Sequence, residues 1–153
     1  MRGRPRHGVF RRSSGLLLGL VLVSGALAGC GDEEPPAATA PSNAAGVGAV
    51  TTAEDGVQEI TLQTQDDFVF LPAEFTVDPG RIRLTVVNAA EQMTHNLEFT
   101  TGAGPEEISE GIDVLAPGEE KTIEFEVAQP GDHPFECSFH VQLGQVGTMT
   151  VRG

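Results

Sequence analysis

The stretch PGDHPFECSFHVQLGQVGTMTV, residues 130–151, holds two short extended runs with an irregular loop between them. The first, HPFEC (133–137), leaves a QPGD turn at 129–132 and puts His133, Phe135 and Cys137 on one face. The second, VGTMTV (146–151), alternates in the same way. Side chains that alternate with period two between Pro-Gly turns read as half-buried strands. The loop carries His140 three residues after Cys137 and Gln145 five residues after His140.

The same grammar extends upstream to Val57. EITLQT (59–64) alternates Ile60 and Leu62 with polar residues, and FTVDPG (75–80) ends in a Pro-Gly turn. RIRLTVVN (81–88) turns Ile82, Leu84 and Val86 inward, and THNLEF (94–99) follows. TTGAGPEEISEG reads as a polar loop, APGEE (116–120) as a turn, and KTIEFEV as a strand with Ile123, Phe125 and Val127 on one face. Turn signals recur every 8–12 residues and no amphipathic helix of useful length is present. The pattern predicts an all-β sandwich or barrel over residues 57–153, and a domain of this size favours the first, a two-sheet Greek-key β-sandwich.

The chain has 153 residues, room for one such domain plus attachments. Arg2, Arg4, Arg6, Arg11 and Arg12 precede the apolar run GLLLGLVLVSGALAG, which begins at Gly15. A basic start, an apolar core and a small-residue end form an export signal, predicted here over residues 1–29. The run is too short and too rich in small residues to read as a membrane span. Its end, Leu27-Ala28-Gly29-Cys30, resembles the bacterial lipobox, in which the cysteine is lipidated and becomes the first residue. Arg11-Arg12 resembles a twin-arginine signal, so the export route stays open. Residues 30–56 are small, polar and proline-containing without apolar periodicity, which predicts a lipid-anchored flexible tether. A coil of this length reaches about 25 to 30 Å. These readings put the domain on the outer face of the cytoplasmic membrane or in the periplasm.

A chain beginning at Cys30 keeps four basic residues (Arg81, Arg83, Lys121 and Arg152) against all 22 acidic ones, a formal charge of −18. Such a surface repels phosphate backbones, and the absence of Trp and Tyr removes the usual base-stacking platforms. Nucleic acid is therefore excluded as a partner, and a basic protein surface is favoured.

Export leaves Cys137 in an oxidising compartment. Cys30 is the one other cysteine, and lipidation would occupy its sulfur. Cys137 is then a nucleophile or a metal ligand. A base three residues away in a tight turn is poorly placed for hydrolysis, no His-x-His pair of a multicopper oxidase exists, and a structural zinc site would want a fourth strong ligand. The expectation is therefore not an enzyme. Cys137 and His140 converge at a strand end, and His95 can supply a third ligand from another. One soft sulfur, two imidazoles and a weak axial group form the blue-copper set. His133, four residues before Cys137 on one strand, lies about 13 Å away at 3.3 Å per residue and cannot share the ion. Met149 sits in an alternating strand and reads as core, and Met93 reads as packing.

On these motifs the chain from about Ile60 to Val151 resembles a cupredoxin of the plastocyanin type. FVFLPAEFTVDPGRIRLTVVN is similar to the family's first strands, HN (95–96) to its first ligand strand, and PGDHPFECSFH to its copper loop. The resemblance implies one copper ion, cycling between Cu(II) and Cu(I), held by His95, Cys137 and His140. The axial position departs from the usual methionine: Gln145 stands there, as glutamine does in the stellacyanins. A three-coordinate site, or one capped by the carbonyl of Thr94, is the alternative. Asn96 and Ser138 are expected to brace the ligand loop, and Phe139, Val141 and Leu143 to cover the ion and leave an apolar patch around His140. The function so implied is one-electron transfer between protein redox partners. The alternative is a copper-handling protein that stores or delivers the ion without redox turnover.

Overall fold

A computed structural model describes residues 46–153. The predicted signal, Cys30 and most of the predicted tether lie outside the described residues. Ten strands form in this part of the chain: β1 (Thr51–Thr52), β2 (Gln58–Thr64), β3 (Phe70–Leu71), β4 (Glu74–Val77), β5 (Gly80–Asn88), β6 (His95–Phe99), β7 (Ile112–Leu115), β8 (Glu120–Val127), β9 (Gly131–Glu136) and β10 (Val146–Val151). A single 3-10 turn, Val141–Leu143, interrupts them.

The strands make two mixed sheets packed as a β-sandwich. One runs β1-β2-β5-β8 with β3 also on β2, and the other runs β4-β10-β9-β6-β7. Neighbours such as β2 and β5, or β4 and β10, are distant in sequence and pair in parallel; the β9–β10 hairpin and the β5–β8 pair are antiparallel. The predicted faces are the buried ones: Ile60 and Leu62, then Ile82, Leu84 and Val86, then Phe125 and Val127, all turn into the space between the sheets. Phe135 sits at the centre of an aromatic cluster. Its ring centroid lies 5.2 Å from Phe70, 5.9 Å from Phe75 and 6.1 Å from Phe99. Gly147, opposite Phe135 in β10, has no room for a side chain, since a Cβ would lie 2.3 Å from that ring.

Two features differ from the sequence expectation. Residues 46–56 belong in part to the fold, although the tether was expected to run to Gly56: β1 pairs with Gln58 and Glu59, Val47 bridges Thr61, and Val50 packs on the core. Backbone hydrogen bonds hold this edge, so it leaves no apolar period to read. Strand β7 is the second. Its ends, Ile112 and Leu115, are buried while Asp113 and Val114 face out, and its register with β6 shifts between His95 and Leu97. A bulge of this kind breaks the period of two by which strands are recognised.

Burying an aromatic at the centre of both sheets makes a direct prediction. Phe135→Ala should destabilise the metal-free protein by about 3–5 kcal/mol, seen as a lowered denaturant midpoint with little change in slope. An unchanged midpoint would mean that the sandwich does not depend on this ring.

Candidate metal centre

The copper-loop sequence folds as two strand ends closed by a compact turn. Cys137 directly follows β9, and its N–H donates to the Gln145 carbonyl at 3.0 Å, so that residues 137 and 145 face each other across the loop. Within it His140 N–H bonds back to the Cys137 carbonyl at 3.0 Å, and Leu143 N–H to the His140 carbonyl at 2.8 Å. Gly144 closes the turn at φ 90°, in the left-handed region where glycine carries no Cβ penalty. His95 begins β6, beside Cys137's strand.

This arrangement gathers the residues singled out in the sequence. His95, Cys137 and His140 each present a ligand atom within 4.8 Å of the others. The Cys137 sulfur is 3.5 Å from His140 Nδ1 and 3.9 Å from His95 Nδ1. Gln145 Oε1 is 2.9 Å from His95 Nδ1 and 3.1 Å from His140 Nδ1, so the amide oxygen joins the same cluster. Metal–sulfur and metal–nitrogen lengths of about 2.3 and 2.0 Å would set sulfur–nitrogen edges of about 3.7 Å around a trigonal ion. The observed edges bracket that value, so the donor set fits a single ion, and copper in particular by its chemistry.

Cys137, His95 and Gln145 are fully buried and His140 is half-buried. Desolvation lowers the His95 pKa, reinforced by the nearby His140; hydrogen bonding to Gln145 and the backbone of Gln65, with the charge of Asp66, pulls the other way. The net lowering favours the neutral imidazole that a metal needs. His95 Nε2 is buried with no hydrogen bond of good geometry, while Nδ1 faces the cluster.

The neighbours expected from position are also in place. The backbone N–H of Asn96 points at the Cys137 sulfur at 3.5 Å. Asn96 Oδ1 accepts from the Ser138 N–H at 2.7 Å, and its Nδ2 donates to Ser138 Oγ at 2.8 Å and to Glu98 at 2.6 Å. His133 stays apart, buried with Nε2 3.1 Å from the Gln129 carbonyl, and Met149 is core. Met93 is half-buried, and its carbonyl accepts from the Asn88 side chain.

Phe139 and Leu143 do not cover the cluster as expected. They are exposed by 52% and 62%, and so form the rim around it. No residue of the 3-10 turn is buried, and Val141, also expected to cover the ion, is only half-buried. Phe68 takes that place: its ring lies 4.9 Å from the His140 ring, held by a positive φ of 58° that is costly for a bulky residue. Three other contributors escaped the sequence reading. Thr64 Oγ1 accepts from Gln145 Nε2 at 2.6 Å. Asn88 ties the carbonyls of Met93 and Leu115 together ahead of His95. The Asp66 carboxylate accepts the N–H groups of Glu91, Gln92 and Met93. Nothing in their local sequence separates these from ordinary polar residues at strand ends.

Two sheets enclosing one Cys–His–His cluster at the end of the sandwich define a mononuclear copper-site fold. The chain belongs to the copper binding proteins of the plastocyanin/azurin family, whose profile matches residues 57–152. It is 32% identical over 100 residues to the chloroplastic plastocyanin minor isoform of Arabidopsis thaliana, a match over 61% of this chain and 57% of that protein's length. Among solved structures it is similar to the reduced auracyanin of Roseiflexus castenholzii, with a TM-score of 0.56 and 24% identity over 69% of this chain and all of that one. Auracyanin B is similar at a TM-score of 0.54 and 19% identity, over 71% and 97% of the two chains. The metal binding domain of the Cu(I) exporting ATPase CopA of Streptococcus pneumoniae follows at 0.53 and 23%, over 67% and 92%.

The Asp66 clamp carries a pH prediction. Its backbone hydrogen bonds, the one from Glu91 first, hold its pKa below the ordinary carboxylate value; desolvation, next in size, opposes them and is outweighed. A depressed folded-state pKa means stabilisation that is present above the unfolded value, about 3.9, and is lost as pH falls through the folded one. Amide exchange at residues 91–93 should therefore stay slow until the pH drops below about 3.9, and Asp66→Ala should speed it at neutral pH. Equal protection in the variant would show that the loop is held by other contacts.

Proposed function

We propose that this chain is an exported, lipid-anchored type 1 copper protein that carries single electrons between protein partners. His95, Cys137 and His140 are its equatorial ligands and Gln145 is axial. The observation that carries the reading is the meeting of one thiol, two imidazole Nδ1 atoms and one amide oxygen from four positions of the chain, with no fourth strong ligand among the described residues. Bound copper supplies a one-electron couple. The chain's part is to hold the donors nearly still, so that little rearrangement accompanies each transfer, and to keep water from the buried side. Such a protein is a carrier and not an enzyme.

The surface supports the role. Beside the half-buried His140 lie two exposed apolar residues: Phe139, with ring centroids 6.4 Å apart, and Leu143, whose N–H bonds to the His140 carbonyl. Arg83, Lys121 and Arg152 are each engaged by carboxylates. The remaining charge is overwhelmingly negative, which steers a partner with a basic face while the apolar rim seats it. Anchoring through Cys30, and with it a location at the outer face of the cytoplasmic membrane or in the periplasm, rests on the amino-terminal sequence alone.

Addition of Cu(II) to the purified protein should give an intense band near about 600 nm that Cys137→Ser abolishes, with reversible electrochemistry. A colourless oxidised form with tight Cu(I) binding would instead favour storage or delivery of copper, a reading encouraged by the fold shared with the metal binding domain of a Cu(I) exporter. Because an amide oxygen favours Cu(II) over Cu(I) more than a thioether does, Gln145→Met should raise the reduction potential. An unchanged or lower potential would refute the axial role.

A further inference from the structure

The amide of Gln145 has two ends of nearly the same shape and opposite character. Its oxygen accepts and its nitrogen donates. Only the oxygen suits a cation. Oε1 points at the two imidazoles, and Nε2 donates to Thr64 Oγ1 at 2.6 Å. Both partners are buried, Gln145 completely and Thr64 at 1% exposure for its residue, so no solvent can take over either role.

Thr64 reaches the site from the opposite sheet. It ends β2, lies in register with Asn88 of β5 and Phe70 of β3, and its carbonyl accepts from Ala89 N–H at 2.8 Å. Its backbone is therefore fixed by strand pairing on two sides, which places the hydroxyl within reach of Gln145. The Gln145 backbone is fixed independently, through the bonds of its carbonyl to Cys137 and of its N–H to His140. What those bonds leave free is the side-chain amide itself.

We infer that Thr64 is the positioning residue for the axial amide: by accepting from Nε2 it holds Gln145 with its oxygen toward the ion. It also strengthens that oxygen as a donor, since drawing on the amide N–H shifts electron density to the carbonyl end. A hydroxyl can meet either end of an amide, but this pairing is the one arrangement that satisfies hydroxyl, amide and cation together. The inference rests on the axial reading of Gln145 and extends it to a residue 81 positions away in sequence.

The test uses Thr64→Val, which keeps the shape and removes the acceptor, with Thr64→Ser as the conservative variant and Thr64→Ala as a smaller substitute should valine disturb folding. In metal-free protein, the Gln145 side-chain amide protons should exchange slowly in wild type and Thr64→Ser. In Thr64→Val or Thr64→Ala they should exchange about five- to tenfold faster, the factor that one net hydrogen bond represents. In copper-loaded protein, Thr64→Val should raise the potential and alter the visible and electron paramagnetic resonance spectra, Thr64→Ser should restore them, and Thr64→Val should add nothing in a Gln145→Met background. If Gln145→Met moves the potential while Thr64→Val does not, the axial reading stands and the role of Thr64 is overturned. If Gln145→Met leaves it unmoved, the axial reading itself fails and the inference falls with it. Unchanged amide exchange in Thr64→Val overturns the hydrogen bond on which the inference is built.

Discussion

The hydrogen bond from Cys137 N–H to the Gln145 carbonyl is the interaction on which the site depends. It joins the end of β9 to the start of β10 and turns the residues between them into a closed loop. Without that closure a thiol and an amide eight residues apart have no reason to face the same point. With it, His140 is the one ligand the loop itself must present. His95 arrives from the neighbouring strand β6, whose pairing with β9 fixes its height. The site is thus a product of sheet register more than of local sequence, and the aromatic cluster around Phe135 keeps that register by filling the space beneath it.

Sequence and structure agree where side-chain chemistry is rare. A lone cysteine at a strand end with histidine three residues on leaves few readings; His95 followed because a third ligand, a second nitrogen, was needed. The strands with strict alternation, such as Arg81–Asn88, were equally legible. What stayed hidden has common residue types in uncommon places. Thr64, Asp66 and Asn88 are polar residues at strand ends, and their role appears only when distant backbone is brought beside them. Phe68 reads as one more apolar residue until its left-handed backbone turns the ring onto His140. Strand β7 was missed because a bulge spoils its alternation, and β1 because backbone pairing alone holds it.

The charge of the domain has a structural arrangement as well as a sum. Glu98 and Glu136 stand directly opposite each other on β6 and β9, a pairing that is ordinarily destabilising. Here Asn96 and Ser138 donate to Glu98, and Thr100 donates to Glu136, so hydroxyl and amide donors temper the repulsion without a cation. The negative potential consequently survives on the outer face of the strand that ends at Cys137. The same Asn96 that braces the ligand loop also holds one of these carboxylates, so the loop and the charged face are mechanically joined.

The burial of the four clustered side chains is lopsided. Three are sealed inside the sandwich, and the fourth, His140, meets solvent between Phe68 and Phe139. Anything that competes for the ion must enter along that imidazole edge, through an apolar collar. A small neutral thiol would meet less resistance there than a bulky polyanionic chelator, which size and the negative charge of the domain both oppose. Retention of the ion against scavengers is thus set at the doorway as well as by ligand strength.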